Sequence, residues 1–296
     1  MATLLAVGTL SAAGPAPACC PDGGASGARC AFDYMMRLGS SLVARLRLEI
    51  DHEGGDRSIG RLEFRPAGFA TWLGGGNRAR MEAEVVVLGG QPRPDRFHVR
   101  YDKPDRYRDI RIRYDPATGE IVELRYDDDG RPRESEVPPS LRTGTVDPVT
   151  AFFLLQRWVA DPARRPGDRI TVPVFEGRKR LDMLVDMPEL PPPDASVRHL
   201  RARLVGLYGF EDGYGFVEGT ANAGRPVWLD VTVTRGLCPV PLRVRGAAGA
   251  LEPSIVLERR LRRPRKRRFP SRAAAPGVRR SRTSRARCRT RRRARP

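Results

Sequence analysis

"IRIRYDPATGEIVELRYDDDG", Ile110 to Gly130, holds the fold in miniature. Ile110, Ile112 and Tyr114 alternate with Arg111 and Arg113, so one side of an extended segment is apolar and the other charged. Side chains in a strand point to opposite faces in turn, and this period of two marks a sheet that is wet on one side. Asp115 to Gly119 supply Pro, Thr and Gly, a short hairpin loop. The return strand places Val122, Leu124 and Tyr126 on the apolar face and Glu123 and Arg125 opposite, where charges pair across strands. Asp129-Gly130 then reads as a turn at a strand end.

The same alternation extends in both directions. "LVARLRLEI" sets Leu42, Ala44, Leu46, Leu48 and Ile50 against Arg45, Arg47 and Glu49. Ile170, Val172 and Val174 alternate before a turn at Gly177. Runs through Leu200, Val227, Val240 and Ile255 repeat the pattern. About ten such strands cannot bury their apolar side while flat. The fold class expected is mainly β: one strongly curled antiparallel sheet, barrel-like or a half-barrel. With 27 Pro and 30 Gly, the chain suits many short strands better than a helical bundle.

One segment departs from the period of two. In Thr145–Val159, "TVDPVTAFFLLQRWV", Asp147 is a good N-cap and Pro148 suits the first helical position. Ala151, Phe152, Leu155 and Trp158 then share one helical face, and "ADPARRPGD" ends the run. The expectation is a single helix against the apolar face, with Phe152, Leu155 and Trp158 turned toward it as the candidate contacts of an apolar ligand. Asp147 and Pro148 start it, and "VPPSLRTGT" before it reads as a loop. Gly119, Gly130 and Gly177 are the structural turn positions.

Charge divides the chain. Of 54 basic residues, 19 lie from Arg259 onward, where there is no Asp or Glu; the remaining 35 share residues 1–258 with all 35 acidic ones. The body is formally neutral, and the net charge of +19 belongs to the tail. A block of like charge with few aliphatic residues does not fold by itself. The organisation expected is a signal-like leader over 1–30, a curled β domain over 31–258 and a disordered Arg-rich tail over 259–296. The tail's Arg, Pro, Ala and Ser composition also fits a frameshifted GC-rich reading frame. The leader carries small and apolar residues and the cleavage-like Ala16-Pro17-Ala18, but no Lys or Arg precedes Arg29. No run is long enough for a membrane-spanning helix.

Chemistry is sparse. His52, His98 and His199 have no metal spacing and read as exposed strand or turn residues. Asp127, Asp128 and Asp129 are consecutive, so their side chains diverge and suit a turn rather than calcium. Trp72–Arg78, "WLGGGNR", reads as a strand connection and not a phosphate loop. "YDKPDRYRD", Tyr101–Asp109, reads as part of an ion-pair lattice, because its charges balance. Cysteines at 19, 20, 30, 238 and 288 are too scattered for a disulfide framework; they read as unpaired, with a Cys30–Cys238 bridge open if the chain is exported. No catalytic residue, metal or cofactor is indicated.

The stretches Arg96–Pro132, Val137–Leu155 and Gly167–Val185 resemble the bacterial domain-of-unknown-function 3108 family, and "TWLGGG" from Thr71 and "PVPLRV" from Pro239 fit its order. The resemblance covers roughly residues 32–258. It implies an exported protein of the Gram-negative envelope and a style of fold, with no established activity, so no functional residue carries over. The expected function is a non-enzymatic periplasmic role, structural, interacting or apolar-ligand-binding, with an unknown envelope protein or a lipid-like ligand as partner. No specific nucleic-acid partner is expected. The competing readings are a periplasmic hydrolase, and nucleic-acid or anionic-surface binding through the tail.

Overall fold

The Ile110–Gly130 hairpin is formed by β6 (Tyr107–Tyr114) and β7 (Ile121–Asp128). Its loop closes through hydrogen bonds from the Asp115 and Gly119 amides to the Glu120 and Asp115 carbonyls. The register shifts between Arg113 and Tyr114, so Tyr114 pairs with Ile121 and Arg113 with Glu123. Val122 is the residue left over. It is 48% exposed rather than on the apolar face, because the bulge takes it out of phase. Asp129 and Gly130 both have positive φ, at 57° and 72°, the requirement of a two-residue turn matched to sheet twist.

The computed structural model describes residues 29–68, 77–189, 195–210, 227–235, 239–246 and 253–263. Before β6 lie β1 (Arg29–Leu38), β2 (Ser41–Gly54), β3 (Arg57–Pro66), β4 (Arg78–Leu88) and β5 (Gln91–Asp102). After β7 come β8 (Arg131–Arg133), a four-residue helix α1 (Pro139–Arg142) in the segment read as a loop, and α2 (Pro148–Ala160). The chain continues through β9 (Arg169–Phe175), β10 (Arg180–Asp186), β11 (Val197–Tyr208), β12 (Val227–Thr234), β13 (Pro241–Gly246) and β14 (Pro253–Arg263).

All fourteen strands form one antiparallel sheet in the order β8-β7-β6-β5-β4-β3-β2-β1-β14-β13-β12-β11-β10-β9. It is a meander of two arms, β1–β8 and β9–β14, joined where β1 pairs with β14. The expectation of a strongly curled, barrel-like sheet is corrected here. The order is linear, and its two ends, β8 and β9, do not pair with each other. The connector between them carries α1 and α2, and it covers part of the β9 edge through a parallel bridge of Val146 to Val174.

The ends of the sheet also depart from the expected boundaries. β1 begins at Arg29, and β14 runs through Arg263, with Arg29–Asp33 paired to Arg263–Arg259. The first five residues assigned to the tail therefore belong to the sheet. The rest of the leader and the tail from 264 lie outside the described residues, as do residues 69–76 and with them most of "WLGGGNR". Cys30 is disulfide-bonded, which corrects the reading of unpaired cysteines; the other four cysteines lie outside the described residues.

Helix α2 packs against β3, β4 and β5 on one side and β9 on the other. Val149 and Phe153 join a core built on Ile50, Phe97, Val99, Ile110 and Tyr114; Trp158 and Val159 join a second with Val185, Leu200 and Val233. Ala151 packs with Val172 and Val174 of β9. Gly60 makes room for this: a Cβ there would lie 2.5 Å from Val149 Cγ1 and 2.9 Å from Phe153 Cε2.

Candidate functional site

The helix start is built around Asp147. Its Oδ1 accepts from the Val149 and Thr150 amides, each at 2.9 Å, and Oδ2 accepts from the Thr150 hydroxyl at 2.5 Å. Pro148 occupies the first helical position. Burial, opposed by these hydrogen bonds, raises the Asp147 pKa to about 6. Of the proposed apolar contacts, Trp158 is buried, Phe152 and Leu155 are half-buried but pack against the apolar clusters, and Phe153 takes the deep position. A single-stripe reading fails because α2 meets packing partners on more than one side. Phe152 also meets Phe153 edge-on, with ring centroids 6.0 Å apart.

Gly177 makes the second junction of the two arms. It has φ 103° and sits against the Ile110 side chain of β6. Next to it, the Tyr101 hydroxyl of β5 donates to Glu176 Oε2 at 2.6 Å. Glu176 is 8% exposed, and its Oε1 has no hydrogen-bond partner among the described residues. Desolvation raises its pKa, against the hydrogen bond from Tyr101 and the charges of Arg178, Lys179 and Arg108. Desolvation likewise lowers Lys179 to about 8. Arg180, also buried, donates from Nε to the Leu141 carbonyl at 3.0 Å and so ties β10 to α1. The sequence reading missed this cluster, although its phase was visible. Val172, Val174 and Glu176 share one face, as do Phe97, Val99 and Tyr101, so both polar groups continue an inward-facing row.

The charged face of β1–β7 is ordered in rows that cross the strands. One row reads Asp33, Arg47, Glu63, Arg80, Arg100, Asp109 from β1 to β6. The next reads Glu49, Arg61, Glu82, His98, Arg111, Arg125 from β2 to β7. Signs alternate through β1–β4, and the ion pairs follow: Arg47 to Asp33 at 3.1 Å and to Glu49 at 2.9 Å, Arg61 to Glu82 at 2.5 Å. Arg65 and Arg80 share Glu63, at 2.7 and 3.3 Å. The hydrogen bond from Arg65 leads in lowering the Glu63 pKa. Two clefts open on this face. One, of about 720 Å³, is lined by Arg47, Arg61, Arg80 and Glu82 among others; the second, of about 370 Å³, by Arg96, His98, Arg111, Arg113 and Arg125.

The histidines sit apart. His98 meets Asp109 at 2.9 Å, and His52 meets Ser58 at 2.9 Å within β2 rather than in a turn. Burial lowers the His52 pKa. His199 is exposed on β11. Among the described residues, no group of three His, Cys, Asp or Glu side chains is placed to hold a metal ion.

Residues 33–186 match the model of a family described as "Protein of unknown function (DUF3108)". The chain belongs to that family. The matched span is just over half of the chain and runs from β1 through β10, so "PVPLRV" falls beyond it. A search of the curated proteins found no match. Among solved structures, the chain is similar to a beta-barrel-like protein of the DUF1849 domain of unknown function from Brucella abortus. Identity is 10% and the TM-score 0.44, covering 80% of this chain and 98% of that one. Among the described residues, no helix is long and apolar enough to cross a membrane.

Proposed function

We propose that this member of the DUF3108 family is an exported protein of the cell envelope, placed in the periplasm, that works by binding rather than catalysis, and that its working surface is the charged face. The observation that carries this reading is the division of labour between the two faces. The apolar face is occupied by α2, tightly enough that Gly60 has no room for a methyl group, while both clefts open on the charged side. Export is supported by the disulfide at Cys30, since such bonds persist in oxidising compartments.

Two measurements on protein from its own host test the proposal. N-terminal sequencing of the envelope fraction is expected to place the mature start beyond Ala18; cytoplasmic protein with Met1 intact overturns export. Lipid extraction and mass spectrometry are expected to find no stoichiometric acyl ligand. One acyl chain per protein would move the binding surface to the apolar face and restore the lipid-carrier reading.

A further inference from the structure

The alternation of charge on the wet face breaks down at β5–β7. Arg96 lies directly opposite Arg113, and Arg111 has His98 on one side and Arg125 on the other. Like charges directly opposite each other in a sheet destabilise it. The carboxylates within reach are Glu84, Asp109 and Glu123, and each is shared. Glu84 serves Arg57 and Arg96, Asp109 serves His98, Arg100 and Arg111, and Glu123 serves Arg113 and Arg125.

Depth separates the two signs. The side chains of Arg96, Arg111, Arg113 and Arg125 are 64, 63, 53 and 71% exposed, whereas Glu84, Asp109 and Glu123 are 29, 12 and 36% exposed. The carboxylates lie low and the guanidinium groups stand above them. From outside, these four arginines outreach the carboxylates they share, with Glu82, 47% exposed, at the β4 margin of the same cleft.

We propose that the charged face of β5–β7 docks on an anionic lipid surface, with Arg96, Arg111, Arg113 and Arg125 each meeting a headgroup phosphate. Phosphate is the chemistry that suits planar guanidinium groups. The arrangement selects the source. The four arginines stand on three neighbouring strands about 4.8 Å apart across the sheet, and the two on β6, Arg111 and Arg113, are about 6.8 Å apart along it. They line one cleft that spreads over three strands, a spread that matches several headgroup phosphates better than one free ion. This inference rests on the charged face being the working surface and on export.

The test is co-sedimentation of the full chain with vesicles of pure phosphatidylcholine and of phosphatidylcholine with phosphatidylglycerol at low salt. Arg111→Gln with Arg125→Gln is compared with a charge-matched control, Arg201→Gln with Arg243→Gln, on exposed short-arm positions. The arginine tail is present in all three proteins, so its own attraction cancels. At roughly fivefold per arginine near an anionic surface, the β6–β7 pair is expected to lose about 25-fold in binding to the anionic vesicles, and the control less than about threefold. Equal losses in both variants overturn the proposal, because net charge or the tail then does the binding. Relief of binding by millimolar inorganic phosphate at constant ionic strength overturns the lipid source. Tighter binding of duplex DNA with the same arginine dependence overturns it in favour of a nucleic acid. Should the first pair fail to fold, Arg96→Gln with Arg113→Gln reads the same surface. A cytoplasmic location would overturn export while leaving the vesicle result standing, so the two failures are distinct.

Discussion

Glu63 and Glu176 are both carboxylates on strands or turns of one sheet, and they are held in opposite ways. Glu63 lies on the charged face between Arg65 and Arg80, and its pKa is lowered, first by the Arg65 hydrogen bond. Glu176 lies where the arms meet, with one tyrosine hydrogen bond and its pKa raised by lost water. Asp147 belongs with Glu176, and Glu123, lowered first by its hydrogen bond from Arg125, belongs with Glu63. The lattice is therefore cheap to assemble and cheap to lose, since exposed ion pairs contribute little net stability. The seam is dear on both counts, because a buried polar group that loses its partner keeps its desolvation penalty.

The largest effects should come from the seam's apolar anchor. Phe153→Ala is expected to cost about 3–5 kcal/mol, and Phe152→Ala clearly less, as urea midpoints would show. Equal costs would mean that α2 is seated by the Phe152 side. A chain truncated after Glu258 loses the partners of Arg29–Asp33, which include buried Cys30, Ala31 and Phe32. At roughly 1 kcal/mol per hydrogen bond, it should be about 3–5 kcal/mol less stable than one ending at Arg263. Identical melting of the two would return Arg259–Arg263 to the tail.

The pH dependence should differ in sign between the two regions. The folded pKa of Asp147, about 6, lies above its ordinary 3.8, so the folded chain holds that proton more tightly. Its contribution is fully present below about pH 3.8 and is lost as pH rises through 6, a swing of about 3 kcal/mol. Glu63 acts in reverse: its contribution is present above 4.5 and lost as pH falls. Asn keeps the cap but cannot ionise, so Asp147→Asn should gain on the parent between pH 4 and 7. Parallel stability curves for the two proteins would show that Asp147 stays ionised throughout.

How far the sequence could be read follows from the same division. Strands with one wet face announce themselves by alternation, so the β6–β7 hairpin and the charged rows were legible. Asp147-Pro148 marked the helix start because capping is local chemistry. The bulge that turns Val122 outward was not legible, since a register shift needs both strands. Nor was the exchange of Phe152 for Phe153, because a helix with packing on several sides has no single stripe to read. Arg262 and Arg263 looked like tail from composition alone; only their pairing with Cys30 and Arg29 makes them strand. The reach of Tyr101 to Glu176 spans 75 residues and is set by how the arms approach each other.

A smaller effect tests the fit of helix to sheet. Gly60→Ala places a methyl group against Val149 and Phe153 and should cost about 1–3 kcal/mol by overpacking. A Phe153→Leu partner substitution, which frees space, should recover part of it. Gly39, in open space at the β1–β2 turn, is not an equivalent control, because its φ of 58° strains any other residue.

The smallest effect belongs to the lattice, and it decides whether the comparison holds. Arg61 and Glu82 form a close pair, with side chains 33% and 47% exposed. A double-mutant cycle through Arg61→Gln and Glu82→Gln should give a coupling of about 0.2–1 kcal/mol, fading as salt approaches molar levels and the screening length falls to about 3 Å. The matching cycle through Tyr101→Phe and Glu176→Gln should give a larger coupling that salt leaves almost unchanged, because that pair is out of reach of counterions. Each single change at the seam should also be worse than either change in the lattice, since it strands a buried partner. If instead Arg61–Glu82 couples as strongly as Tyr101–Glu176 and resists salt, the charged rows are a structural network rather than a solvated surface. The guanidinium groups of β5–β7 would then be committed to their own carboxylates, and that face would have little left to offer a partner.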